Sequence, residues 1–464
     1  MRITMKTVTP PEALKLVHDA NSLSREAIAA LQKERLAAIV AHARENSTFY
    51  QKKYTGLPDN PSLADLPPVG KQELTACMQD WVTDPEFSEE ALVTFIRDMG
   101  SLGHLFMDKY SVSTTSGTTG EPLRMLRDSR HVNINGAILQ DRLYNSPLLK
   151  GVPEILEKKT KFASILGTGG HHAALTAFEK RRTALEKEGV TGTMELLSIG
   201  EPVEEMVARL NNFQPEVITG YPSFLQILAG EQQEGRLNIT PKIILCSAEQ
   251  LTDETRLLIE DRFSCPVGNV FCSTEGGEVS ILCDHGHMHL NSDWIIVEPI
   301  DRDGNPVPPG TMSDAILVTN LMNAVQPIIR YQVDDCVILH EAPCGCGLPF
   351  PYVDILGRTD DMPSFTGENT TVRLSPIVFL NAVCDIEGLS IFQFIQSDPE
   401  TLVMRVQYLK DADPDAVNRE IIEKVQEQLV NHGLKNVAFS IEEGEPQRAV
   451  RGKKMKAYIK DFPE

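Results

Sequence analysis

Ser113-Thr-Thr-Ser-Gly-Thr-Thr-Gly-Glu-Pro122 is the stretch around which the chain is organised. It packs six Ser/Thr hydroxyls and two glycines into ten residues. Gly117 and Gly120 let the backbone take positive φ or approach a ligand closely. The hydroxyls and loop N–H groups can donate to phosphate oxygens, as in an anion-binding nest. Tyr110-Ser-Val112 reads as the end of a strand leading in, and a helix is expected from about Ser129. The G-x-x-x-x-G-K-[ST] pattern is absent, so this is not a Walker loop. Composition alone is equally consistent with a solvated polar loop.

Downstream, short apolar runs alternate with helical patterns. Phe162–Leu166, Thr193–Ile199, Val217–Thr219, Ile243–Cys246 and Val267–Phe271 read as strands. Between them, Pro202 opens a helix with the apolar face Val203, Met206, Val207, Leu210 and Phe213, and Thr252 opens another. This alternation predicts parallel β-α-β units. Upstream, residues 22–50 read as one long helix capped by Ser24.

The strand ends carry the polar residues. Gly167-Thr-Gly-Gly-His-His172 and Gly220-Tyr-Pro-Ser-Phe224 each follow a strand, where α/β sheets place ligands. Cys272-Ser-Thr-Glu-Gly-Gly277 sets Glu275 among small residues, where a carboxylate can face a ligand and its metal. Trp294–Glu298 and Ala315–Thr319 read as an antiparallel pair joined by the Asp301-Arg-Asp-Gly-Asn turn. Pro327-Ile-Ile-Arg-Tyr-Gln-Val-Asp-Asp335 closes a strand on acids suited to a ribose diol. Cys283-Asp-His-Gly-His-Met-His289 and Cys344-Gly-Cys346 offer thiolates and imidazoles for tetrahedral Zn²⁺. Two such clusters can pin two hairpins together. The spacing is not that of a standard zinc finger, and buried reduced thiols are the alternative reading.

After Leu356-Gly-Arg-Thr-Asp-Asp-Met362 the period changes. A helix from Ser375-Pro376 to Val383, strands at 390–396 and 401–408, a helix at about 413–432 and a strand at 436–442 form a compact α+β unit. Val417, Ile421, Ile422, Val425 and Leu429 form the core face of its long helix. The tail, Gln447-Arg-Ala-Val-Arg-Gly-Lys-Lys-Met-Lys456, is basic within a chain of net charge −21. That charge argues against nucleic acid or an anionic membrane as partner. With 41% apolar and 23% charged residues, the 464-residue chain is expected to fold as an ordinary globular protein of one large and one small domain. No run reaches signal-peptide or transmembrane character, so a cytoplasmic protein is expected. Nine cysteines there read as thiols or metal ligands.

The 113–122 string resembles the phosphate loop of the adenylate-forming acyl ligases. Leu36–Tyr50, Leu66-Pro-Pro-Val-Gly-Lys71 and the paired Cys/His clusters narrow the resemblance to the phenylacetate–coenzyme A ligase-like branch. Glu121 departs from it, standing where Lys is usual, and a carboxylate there repels a triphosphate. The resemblance covers almost the whole chain. It implies an α/β adenylation domain over 1–358, with mixed parallel sheets and a small β-barrel-like, zinc-stapled section at about 281–346, whose expected ligands are Cys283, His289, Cys344 and Cys346, all four places filled, with His285 competing for the place of His289. A small mobile α+β lid follows over 359–464. It places Ser116, Gly117, Thr118, Thr119 and Gly120 on phosphate, and Ser247, Ala248 and Glu249 beside adenine. Phe271, Cys272, Ser273, Thr274 and Glu275 match the family's Tyr-Gly-x-[ST]-Glu motif, with Thr274 on the α-phosphate and Glu275 on Mg²⁺. Asp335 is implied to contact ribose, Arg358 the nucleotide, and Asp360 to be the hinge. Lys453 is implied to be the catalytic lysine, with Lys454 as fallback and Lys456 as the closing cation. Gly169, Gly170, Tyr221 and Phe224 are expected in the acyl pocket, with Phe271 a further aromatic candidate. The implied reaction joins an aryl or arylacetic acid to ATP, giving acyl-AMP, then passes the acyl group to coenzyme A. Two alternatives stay open: transfer to a carrier-protein phosphopantetheine or an amine, and a zinc-stabilised nucleotide-binding protein with weakened chemistry. A homodimer is compatible with either.

Overall fold

The structure is a computed structural model. It describes residues 5–115, 122–149, 157–168, 170–199, 201–358, 363–367, 371–374, 377–383, 386–446 and 458–462. Helix α1 (Pro10–Ala20) is followed by α2 (Arg25–Asn46), where the Ser24 hydroxyl accepts from Ala27 N–H as expected of an N-cap. The predicted 22–50 helix is broken at Ser47. Ser47 is extended and caps a second short helix, Thr48–Lys53, and Phe49 and Tyr50 then turn into the core. Helix α3 (Ser129–Ile138) starts where expected, capped by Asp128.

Nine strands form the central sheet: β1 (Phe162–Leu166), β2 (Met194–Ser198), β3 (Val217–Gly220), β4 (Ile243–Ser247), β5 (Val267–Ser273), β6 (Gly277–Leu282), β7 (Met288–Leu290), β8 (Asp335–His340) and β9 (Tyr352–Arg358). Their order is β8-β9-β7-β6-β5-β4-β3-β1-β2. Strands β1 to β5 run parallel, joined by helices α4 (Ala173–Lys187), α5 (Val203–Phe213), α6 (Pro222–Gln233) and α7 (Asp253–Phe263). Every residue of β1 is buried, as a strand covered on both faces requires. Beyond β5 the pairing turns antiparallel. One core packs α5 and α6 against β3 and β4 through Met206, Leu210, Leu225, Leu228, Ile218 and Ile244.

The 281–346 section differs from the expected β-barrel-like unit. Strands β6, β7, β8 and β9 extend the central sheet, while Ile295–Ile300, Ala315–Asn320 and Ile328–Val333 form a separate three-stranded sheet. No closed barrel forms among the described residues. The period-2 apolar pattern shows strands but not which sheet they join. Asp335 also opens β8 rather than closing the preceding strand, which ends at Val333.

The C-terminal residues carry their own core. Helix α8 (Pro414–Asn431) lays Val417, Ile421, Val425 and Leu429 against Phe394, Leu402 and Met404 of a four-stranded sheet. Ile422, assigned above to that face, is 40% exposed, because it sits one position off the i, i+4 stripe.

Candidate active site and metal centre

The C-terminal ends of β1, β3, β4 and β5 open onto one cleft of 2580 Å³. A single small-ligand pocket holds roughly 300–1,000 Å³, so this cleft has room for more than one ligand. Gly170, Tyr221, Ser247, Ala248, Glu249 and Phe271 line it. So do Cys272, Ser273, Thr274, Glu275, Asp335 and Arg358. The sequence-predicted nucleotide residues that are described therefore converge on one face.

At the end of β4, Ala248 has φ +65°, a left-handed conformation that a non-glycine residue adopts only under constraint. Next to it, Glu249 Oε2 accepts from Ser223 N–H (3.2 Å) in the first turn of α6, where a negative charge meets the helix dipole. The Thr274–Glu275 turn is held on three sides. Ser273 Oγ accepts from Gly276 N–H (2.8 Å), Arg127 Nη2 donates to Thr274 O (2.7 Å), and Asn320 Nδ2 donates to Glu275 O (3.0 Å) and Gly276 O (3.2 Å). Glu275 itself is buried, and burial pushes its carboxyl up. The Tyr331 hydroxyl and the Arg127 and Arg358 charges pull the other way. A cation beside Glu275 would favour the carboxylate, so the group fits a Mg²⁺ position. Asp335 pairs with Arg358 in the β8–β9 register, while the Arg358 guanidinium reaches Asp334 at 3.4 Å.

One expectation falls differently, and others lie beyond the described residues. Phe224 is buried on α6 in the helix–sheet core and does not line the cleft; the helical turn after Pro222 rotates it inward. Gly169, residues 116–121, Asp360 and Lys453 lie outside the described residues. The strands flanking 116–121 pair antiparallel, and Thr115 N–H donates to Leu123 O at 3.0 Å. His171 is buried and His172 holds the N-cap position of α4 without a side-chain cap bond. The cleft also holds Arg127, His131, Asn135 and Glu278, which sequence reasoning missed. Only the position of Glu278 three residues after Glu275 hinted at it.

The second constellation sits where two neighbouring hairpins meet, β6–β7 and β8–β9, joined through the β7–β9 pairing: His289 lies on β7, and Cys283, Cys344 and Cys346 lie in the hairpin connections. Cys283, His289, Cys344 and Cys346 bring their ligand atoms within 4.8 Å of one another. Cys283 Sγ and Cys344 Sγ are 3.8 Å apart, and His289 Nε2 lies 3.2 Å from Cys346 Sγ. Zinc–sulfur bonds of about 2.3 Å in a tetrahedron separate two sulfurs by about 3.8 Å, so the donor set fits Zn²⁺. His285 turns outward onto Asp284 (3.0 Å) and is not in the cluster. His287, not weighed from sequence, places Nδ1 3.2 Å from Cys344 Sγ.

No protein-family model matches the chain. It is similar to the phenylacetate–coenzyme A ligase of Thermus thermophilus, 25% identical over 367 residues, covering 76% of this chain and 75% of that protein. It is 28% identical over 254 residues to the protein CapK of Staphylococcus aureus, spanning about half of each chain (52% and 52%). Among solved structures, 2-hydroxyisobutyryl-CoA ligase in its postadenylation state superposes with a TM-score of 0.68 at 19% identity, covering 95% of this chain and 91% of that one. The fold is that of the adenylate-forming acyl ligases, the AMP-forming acid–thiol ligases. The phenylacetate–coenzyme A ligases are the relatives that this chain resembles over about three quarters of its length.

Proposed function

We propose that this chain joins a carboxylic acid of the aryl or arylacetic type to ATP, forming acyl-adenylate and pyrophosphate, and then transfers the acyl group to coenzyme A as a cytosolic enzyme. The observation that carries this reading is the convergence of the Ser247–Glu249 turn, the Thr274–Glu275 turn, Asp335 and Arg358 on one cleft. A carboxylate is a poor electrophile; the mixed anhydride with AMP supplies a good leaving group. The step needs charge neutralisation at the α-phosphate rather than a protein nucleophile. Thr274 is assigned to the α-phosphate, Asp335 to the ribose hydroxyls, and residues 116–120 to the phosphates. Mg²⁺ at Glu275 would neutralise phosphate charge when bound. Gly170, Tyr221 and Phe271 are assigned to the acid. Residues 1–358 serve as the adenylation domain and 359–464 as a lid bringing Lys453 to the reacting groups, pivoting at Asp360. Zn²⁺ at the four-residue cluster has a structural role, because all four places are filled.

The test is pyrophosphate release with ATP, Mg²⁺ and a panel of aryl, arylacetic and short aliphatic acids, with and without coenzyme A. Release with an aromatic acid, with a coenzyme A thioester seen by mass spectrometry, is the expected result. Release that ignores coenzyme A would point to a carrier-protein or amine acceptor. No release with any acid would overturn the ligase reading.

A further inference from the structure

Three thiolates and one neutral imidazole around a divalent zinc ion carry one negative charge in excess, and it resides on the sulfurs. N–H groups aimed at those sulfurs hold it, since hydrogen bonds to a charged acceptor are the strong ones. Two of the three sulfurs take theirs from the backbone two residues on. His285 N–H donates to Cys283 Sγ (3.4 Å), and Leu348 N–H donates to Cys346 Sγ (3.5 Å). The first is braced by the other hairpin. The His285 ring packs so closely on Gly345 that a Cβ there would come within 2.9 Å of it.

Cys344 is served differently. Its Sγ lies 3.2 Å from Nδ1 of His287, a side chain of the neighbouring hairpin. A sulfur bound to metal is a thiolate with no proton to give, so Nδ1 is the donor. His287 is not one of the four converging groups, and the imidazole place is taken by His289. The position of His287 is built. Its carbonyl accepts from Cys283 N–H (2.9 Å), which closes the β6–β7 connection on itself. Its ring packs on Tyr352, with centroids 4.3 Å and planes 31° apart. Tyr352 stacks in turn on His340 (4.8 Å, 13°), and His340 Nε2 meets Asp354 Oδ2 at 2.8 Å. Tyr352 pairs with His289 across β7–β9 and with His340 across β8–β9, so strand register sets the whole column.

We infer that His287 is a fifth residue of the metal centre, donating its Nδ1–H to the Cys344 thiolate without being a ligand itself. It is a positioning residue: it fixes the charge and direction of a ligand on the opposite hairpin. Groups that orient metal ligands in this way set metal affinity nearly as firmly as the ligands do. The inference rests on the four-ligand site proposed above and adds a residue to it.

The full chain is first loaded with zinc and its metal content measured. A chain that takes up none loses the four-ligand site, and this inference with it. In the loaded chain, competition with a chromophoric chelator gives the zinc affinity of the native protein, His287→Phe and His287→Asn. Phenylalanine keeps a ring against Tyr352 but has no donor; asparagine can place Nδ2–H where Nδ1–H stood. His287→Phe is expected to weaken zinc binding by about 10–100-fold, and His287→Asn to recover most of the loss. Cobalt(II) in place of zinc reports the ligand set through its visible absorption, and both variants are expected to keep the native spectrum. Affinity in His287→Phe within about threefold of native, or an asparagine variant no better than phenylalanine, would overturn the inference while leaving the four-ligand site standing. A cobalt spectrum that loses a nitrogen ligand in His287→Phe would overturn it too, by making His287 a ligand. Where a variant does not fold, the crystal structure of the zinc-loaded native chain decides. Nδ1 within about 3.5 Å of Cys344 Sγ, with His289 on the metal, upholds the inference. Nδ1 bound to zinc at about 2.1 Å, or a ring turned away from the sulfur, overturns it.

Discussion

His289 donates its Nδ1–H to the carbonyl of Phe350 at 2.9 Å, which leaves Nε2, 3.2 Å from Cys346 Sγ, as the free coordinating nitrogen. A second hydrogen bond of this kind fixes the tautomer and ring plane of a metal-binding imidazole. Metal analysis of the purified chain should find about one zinc per chain. His289→Ala and Cys346→Ser should each lose the metal and lower the melting temperature, because the metal joins two hairpins. A stable protein free of metal would rule out the four-ligand site.

How far the sequence could be read follows from what kind of signal each residue carries. The parallel strands showed as apolar runs because both their faces are covered, and β1 is buried throughout. The Cys283, His289, Cys344 and Cys346 cluster showed because Cys and His recur there at turn spacing in two segments that hairpin pairing brings together. The assignment of β6–β9 to the large sheet did not show, since alternation fixes which face is buried but not which neighbour is paired. Phe224 was misplaced because an aromatic residue in a strand-to-helix turn can serve either the ligand or the core; Tyr221, the N-cap of α6, touches both the core and the cleft, while Phe224, one turn into the helix, packs in the core alone. Arg127, His131 and Glu278 were missed because they come from two distant segments and meet only through tertiary packing.

Asp293 is fully buried and takes a two-pronged contact from Arg142 (2.8 and 3.0 Å), whose guanidinium also lies over the Phe350 ring at 4.2 Å. Arg35 joins the same carboxylate at 3.6 Å and stacks on Trp294. Removing one partner leaves buried charge uncompensated. Asp293→Ala should cost about 3–5 kcal/mol in urea unfolding. The double change Arg142→Met with Asp293→Leu should recover much of that. A loss below about 1 kcal/mol for Asp293→Ala would show that water reaches the network.

Burial pushes the Glu278 carboxyl up to about 7 against the opposing pull of Arg127, from an ordinary value of 4.5. Between those values the folded chain holds a proton that the unfolded chain has released. The contribution of this group to stability is therefore full below about pH 4.5 and is lost as pH rises through about 7. Glu278→Gln has no such proton. Relative to that variant, the native chain should lose up to about 3 kcal/mol between pH 4.5 and pH 8. Denaturant titrations of both proteins across that range measure the difference. A difference independent of pH would place Glu278 in contact with solvent.

Lys453 lies outside the described residues, and its role rests on the Arg451-Gly-Lys-Lys-Met-Lys456 string. An ammonium on a flexible stem suits a charge that is needed in one half-reaction and withdrawn for the next. Lys453→Ala should lower acyl-adenylate formation by at least about 100-fold, the scale for removing one electrostatic stabiliser of a developing charge. Thioester formation from supplied acyl-adenylate and coenzyme A should persist, because that step carries no pyrophosphate charge to neutralise. Single-turnover assays of the two half-reactions separate these outcomes. Loss of both would assign Lys453 to the fold; loss of neither would move the role to Lys454, the neighbouring cation in the same string.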